Sequence, residues 1–465
     1  PPAKGKHPRA AKTMAKRRDQ GVLEPMGVAP SRRRVRQFVA YAASTFSLGR
    51  HLRGLRDGRR RVEVPGFVIG CVLLVGLALR ARSMMELERW VRAGAFRKLV
   101  AHPRLPLRDC LRDWAMAADV ASAWAVHDAI LATARKNKTF RGGSVHGWHG
   151  VALDGSEAWR TQARCCSTCQ VYRHRDGRVE YVHRVVVAQT VSWRHGDEGG
   201  YPSRRKGREV PPVVWGIEPQ RPQEGEVVAS RRLLRRLVAR HGHFCDVVVA
   251  DALYAEAPFL HEVRRLGLHA VVRLKDERYA VVQDAAGLRR GRRYDEAFVT
   301  RIGSFQVEVR LWDSPDLTSW EGLQQPIRVV YAEEELSWTE HQGTSVWHCK
   351  ALRILEVATT LSPAEASGRV VWEIARARWG VENEGFRQLK HEWHLDHGFL
   401  HHPTGMQVLW ALLAAGYNLF QLFLARRIRR RSPWEQTDRG VAERLRAELL
   451  VGEGPLGLYL VPDTS

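Results

Sequence analysis

Hydrophobic positions fall into two regimes along the chain. From residue 37 to about 136 they recur at helical spacing, predicting helices over 67–79, 84–99 and 115–135, with a shorter one at 37–46; Ser83 stands where an N-cap belongs. Pro103, Pro106 and the Gly142-Gly143 pair punctuate this part. After Gly150 the period changes. Residues 151–153 read as a short apolar strand ended by Asp154, and 181–191 and 210–217 as β-branched runs. Residues 225–241 form an amphipathic helix pattern with Leu233, Leu234, Leu237 and Val238 on one side. The continuous apolar run 247–250, ended by Asp251, has the composition of a central strand. A helix over 257–266 and a strand over 269–274 follow. Strands that then alternate with helices predict an α/β layer. Residues 290–360 return to β patterning at 307–311, 327–331 and 346–361. Two long helices follow, 370–393 and 404–427. A β-rich segment is therefore inserted before the last helices of the α/β part, and no internal repeat is present.

Length adds that 465 residues predict two or three domains, and a hydrophobic content of 44% excludes a wholly disordered chain. Charge changes the picture more. Lys plus Arg is 74 against 50 Asp plus Glu, a net +24, which points to a polyanionic partner and first to nucleic acid. Residues 1–61 hold 17 Lys and Arg against three acids, Asp19, Glu24 and Asp57. Residues 1–36 show no apolar period and read as a flexible basic arm, suited either to phosphate neutralisation or to being a solvated tail. The longest apolar run, 67–79, is too short to span a bilayer and is followed by Arg80 and Arg82, so no membrane role is expected. No apolar run with a cleavage site follows the basic start directly, and the seven Cys lack the spacing of a secreted scaffold; both predict a reducing, cytoplasmic setting.

Three carboxylates stand out. Asp154 and Asp251 each close a predicted strand; if those strands are neighbours, both acids emerge at one sheet edge, where hard oxygens suit Mg²⁺ or Mn²⁺. Asp after a strand is also a common turn or N-cap residue. Within the 370–393 helix, Trp379, Glu382, Phe386, Leu389 and Trp393 share one stripe, which puts Glu382 on the apolar side, where a carboxylate needs a cation. Arg378, one turn earlier, is the alternative surface partner.

Asp154-Gly155 after a strand, Asp251 within Val-Ala-Asp-Ala-Leu-Tyr, and Arg378-Trp379-Gly380-Val381-Glu382-Asn383 together resemble the catalytic segments of DDE transposases of bacterial insertion sequences. The nearest group has an RNase H-like core interrupted by a β-rich insertion before the final Glu helix. The resemblance spans roughly residues 140–425. It implies an RNase H-like α/β core with an inserted β-rich segment, plus a helical N-terminal domain. The implied boundaries are a basic arm at 1–36, a helical DNA-binding domain at 37–140, the core at 141–289 and 361–427, the insertion at 290–360 and a basic tail at 428–465. It further implies that Asp154, Asp251 and Glu382 hold two Mg²⁺ or Mn²⁺ ions for cleavage and strand transfer at transposon ends. The partners would be double-stranded DNA, both transposon ends and target, and further copies of the chain in a homodimer or higher oligomer, in a bacterial cytoplasm beside the nucleoid. The helix signature of the family is Tyr, Arg, Glu, Lys. Arg378 and Glu382 match it, Ala375 and Leu389 occupy the Tyr and Lys positions, and Lys390 falls one residue late, about 80° around the helix from Glu382. Arg378 and Lys390 are the expected DNA contacts. A cutting-only nuclease on the same fold, and an inactive DNA-binding derivative, are the alternatives.

Other groups carry less. Cys165, Cys166 and Cys169, with His174 and His183, have the residue types of a zinc site, but the His spacings are irregular for a common finger, and reduced, partly buried thiols are the simpler reading. His391, His394, His397, His401 and His402 near Asp396 read as a helix end stopped by Pro403. Arg204, Arg205, Lys206 and Arg208, and the run from Arg426 to Arg431, suit phosphate contacts. Trp159 reads as core before it reads as a base-stacking platform.

Overall fold

A computed structural model describes residues 33–163, 165–191, 210–342, 345–380, 385, 387–428, 431–432, 435–451 and 459–460. The arm up to residue 32, the Arg204–Arg208 cluster and Glu382 lie outside the described residues, as do Arg429 and Arg430.

Six helices come first: α1 (Arg33–Ala40), α2 (Leu48–Arg53), α3 (Gly66–Ala78), α4 (Met84–Arg92), α5 (Arg108–Ala117) and α6 (Val120–Lys136). Ser83 caps α4 by accepting the Glu86 N–H at 3.1 Å. The helix predicted over 84–99 stops early because Gly94 turns left-handed (φ 76°), and a single 3-10 turn follows. α3 is apolar on every side and buried along nearly its whole length, so it is a central rather than a surface helix.

The strands β1 (Gly150–Thr161), β2 (Gln170–Arg173), β3 (Val179–Thr190), β4 (Val214–Pro219), β5 (Val247–Ala250), β6 (His269–Arg273), β7 (Glu296–Ile302), β8 (Phe305–Leu317), β9 (Ile327–Gln342) and β10 (Ser345–Thr359) form one mixed sheet. Its order is β2-β3-β1-β5-β6-β10-β9-β8-β7, with β4 also on β3. β1, β5 and β6 run parallel, joined through α7 (Glu226–His241) and α8 (Ala257–Arg265), which is the α/β layer the pattern predicts. The segment predicted as an insertion continues this sheet. After α9 (Ala280–Arg289), β7 to β10 zigzag antiparallel, and the end of β10 pairs with β6 through Val357, Ala358 and Thr359. Away from β6, β10 leaves the core, and Trp347, Leu352 and Ile354 are exposed.

The long helix predicted over 370–393 is described as α10 (Gly368–Gly380) and α11 (Arg387–His391), and Trp393 falls in a turn beyond it. α12 (Pro403–Arg427) is long and apolar enough to cross a bilayer, but 94% of its apolar window is buried within the protein. It packs on α3, α5, α6 and β4 and so holds the helical layer to the sheet. Gly416 permits this: a Cβ there would stand 2.9 Å from the Leu74 carbonyl of α3. Asn418 takes both backbone groups of Val214, each at 2.7 Å, where the β3–β4 ladder shifts register, and His127 of α6 completes this buried knot. Beyond residue 428, read from sequence only as a basic tail, the chain forms α13 (Asp438–Leu450). Its buried Glu448 accepts the Arg34 and Val35 N–H groups at the start of α1.

Candidate active site

Asp154 does not end its strand. β1 runs on to Thr161 because β3 pairs with it along its whole length, Asp154 opposite Val187. On the other edge the parallel ladder to β5 is made by Gly150, Val151 and Ala152 against Val247, Val248 and Val249. Carried two residues on, that register sets Asp154 level with Asp251, where β5 has ended and the edge of β1 opens. Equal register on parallel strands puts both side chains on one face. Asp251 is also an N-cap: its carboxylate accepts the Leu253 N–H at 2.9 Å and starts a 3-10 turn ending at Tyr254.

A third carboxylate joins them that the sequence reading missed. Glu226, in the first turn of α7, accepts the Tyr254 hydroxyl at 2.8 Å and the Gly155 N–H. Burial raises its pKa above the ordinary carboxylate range and the charge of Asp251 adds to this, against the two hydrogen bonds. Tyr254 is fully buried; burial, then Glu226, Asp154 and Asp251, push its hydroxyl well above its usual pKa. Tyr254 thus senses all three acids. In sequence, Glu226 is only an acid in a helix's first turn, a common placement with no chemical signature.

Gly155 is required by this arrangement, since a Cβ there would lie 1.8 Å from a Glu226 carboxylate oxygen. Gly155→Ala is expected to displace Glu226, cost about 1–3 kcal/mol of stability and lower any strand cleavage at least about tenfold. Adding Glu226→Ala should return the melting temperature towards that of the parent. A wild-type melting profile for Gly155→Ala alone would contradict the contact.

The cationic side comes from the C-terminal helices. Arg378 is buried on α10, and with Ala375 and Trp379 it lines a shallow cleft over Val249, Ala250, Val271 and Arg273, next to the end of β5. The guanidinium groups of Arg273 and Arg376 lie over the Trp379 ring, at 5.4 and 4.2 Å. Glu157 of β1 is held below the usual carboxylate range chiefly by its hydrogen bond to Arg160, with the charges of Arg184 and of Lys390 on α11 contributing. Gly385 is set against the Gln189 amide of β3, the residue paired with Ala152. Of the predicted site residues, the structure therefore gathers Asp154, Asp251 and Arg378 around the open edge of β1 and β5, while Lys390 acts on Glu157 further along β1. Glu382 is outside the described residues.

The remaining groups take other places. Pro403 opens α12 rather than stopping a helix, because His402 caps it by accepting the Gly405 N–H at 3.3 Å. Arg427 lies over the Tyr41 ring and Arg431 pairs with Asp438 at 2.6 Å.

Residues 216–419 match the family described as a transposase DDE domain, a match that supports a DDE transposase assignment. The matched segment contains Asp251, Arg378, Glu382 and Lys390, while Asp154 precedes it. None of the curated proteins matches the chain.

Proposed function

We propose that this protein is a transposase that cuts the ends of a mobile DNA element and joins them to a target. DDE transposases generally use divalent metal ions. Asp154 and Asp251 offer the hard oxygen donors that suit Mg²⁺ or Mn²⁺, with Glu382 as the third acid. Bound there, two such ions would supply an activated attacking oxygen and a stabilised leaving oxygen. Arg378 and Lys390 would hold the phosphodiester and offset its charge. Glu226 and Tyr254 would act as positioning residues, fixing the backbone at Gly155 and thereby the direction of Asp154. An RNase H-like arrangement at 141–289 and 361–427 would carry this chemistry. Residues 1–140 and the 290–360 segment would engage the element's ends, in a homodimer or higher oligomer, and the net charge of +24 suits such a load of phosphate.

The observation that carries this reading is the parallel register that sets Asp154 level with Asp251 at an edge flanked by Arg378. The test uses the full chain, duplex DNA from the boundaries flanking its gene, and a target plasmid with Mg²⁺. Cleavage at a boundary followed by covalent joining to the plasmid is the expected result. Cleavage without joining would leave a nuclease, and salt-sensitive binding without cleavage a DNA-binding protein.

A further inference from the structure

Four side chains that the proposed chemistry does not use converge away from the carboxylates. Cys166 and Cys169 sit in the turn after β1, His183 is on β3, and His401 immediately precedes the cap of α12. One sulfur or ring nitrogen from each lies within 4.8 Å of all the others. The separations are 3.6 Å between the two sulfurs, 3.5 Å from Cys166 Sγ and 3.2 Å from Cys169 Sγ to His183 Nε2, 3.4 Å from Cys169 Sγ to His401 Nε2, and 3.3 Å between the two nitrogens. We infer that these four residues form a tetrahedral Cys2His2 site for zinc.

Metal–ligand lengths of about 2.3 Å to sulfur and 2.0–2.1 Å to nitrogen require tetrahedron edges of roughly 3.3 Å for N···N, 3.5 Å for S···N and 3.8 Å for S···S. The observed edges follow this pattern. Hydrogen bonds alone account for it less well, because each thiol or ring nitrogen at the centre carries at most one proton, while each contacts two or three of the others. The surroundings also suit thiolates. The Cys166 N–H donates to Cys169 Sγ at 3.3 Å, and the Thr168 hydroxyl lies 3.3 Å from Cys166 Sγ. Trp159 covers the cluster, edge-on to His401 at 4.3 Å and stacked on His183, with Gly398 packed so closely that a Cβ would meet the indole. Four protein ligands leave no position for substrate, so the site is structural. It fastens the antiparallel β1–β3 pair, which bears Asp154, to the segment between α11 and α12.

The full chain, purified without chelator, should contain about one zinc per molecule by elemental analysis. Exchange with Co²⁺ should give the visible bands and thiolate charge transfer of a tetrahedral site. Cys169→Ser and His401→Ala should each weaken metal retention by more than about tenfold and alter the cobalt spectrum, whereas Cys165→Ser and His174→Ala should leave both unchanged. Circular dichroism on each variant separates metal loss from misfolding, and His401, being only part-buried, is the substitution least prone to unfold the chain. Wild-type protein with below about a tenth of a zinc per chain after incubation with the metal would overturn the assignment. So would an unaltered cobalt spectrum in folded His401→Ala, or a Cys166–Cys169 disulfide in place of bound metal.

Discussion

Asp251→Asn is expected to lower DNA cleavage by about a thousandfold or more while leaving the protein folded and bound to DNA. The magnitude follows from losing a metal-binding carboxylate in phosphodiester chemistry, worth several kcal/mol in the transition state at about 1.4 kcal/mol per tenfold. Asparagine is chosen because Asp251 has a capping role beside its proposed metal-binding one. Its side chain caps the turn to Tyr254 by accepting the Leu253 N–H, and an Asn oxygen still does this. The substitution removes the charge and keeps the cap, so a matched melting temperature with absent cleavage isolates the proposed metal-binding role. Asp251→Ala should lose both, adding about 1 kcal/mol of destabilisation. Asp154→Asn should behave like Asp251→Asn. Cleavage within tenfold of wild type in either Asn variant would remove these residues from the catalytic assignment, whatever the strand-transfer assay shows for the parent.

The largest effect on stability is expected at Arg376. Its guanidinium lies 2.9 Å from a carboxylate oxygen of Glu334 on β9, with the two side chains 3% and 0% exposed. Trp372 donates to the other oxygen at 2.8 Å. This group joins α10, the helix carrying Arg378, to the strand inserted before it. Burial outweighs the mutual attraction on both sides, raising the Glu334 pKa and pushing Arg376 down to about 10. Arg376→Met should therefore cost about 3–5 kcal/mol, because buried Glu334 loses its nearest counter-charge. Arg376→Met with Glu334→Gln should recover most of that loss, since the amide oxygen still accepts from Trp372 and no buried charge remains. Urea unfolding of the parent, the single and the double variant measures this. A single variant within 1 kcal/mol of the parent would mean that solvent reaches the carboxylate.

What was legible in the sequence was local. Apolar periodicity reports which face of an element is buried, so the β1–α7–β5–α8–β6 alternation, the helical first third and the apolar α12 could all be read from it. The placement of Asp154 and Asp251 after apolar runs was legible for the same reason. Periodicity does not name partners. That β1 continues past Asp154 depends on β3, and that the inserted strands extend the central sheet depends on three residues of β10 meeting β6. Glu226 joins the two aspartates only because α7 returns its first turn to Gly155. His183 and His401 meet across 218 residues, a distance at which spacing carries no information. The sequence by itself determined the elements, their buried faces and the excess of positive charge, because each depends on neighbours within a few residues. The tertiary structure alone decided which acids share an edge and which thiols share a centre, because those contacts exist only once the sheet has paired and α12 has closed over it.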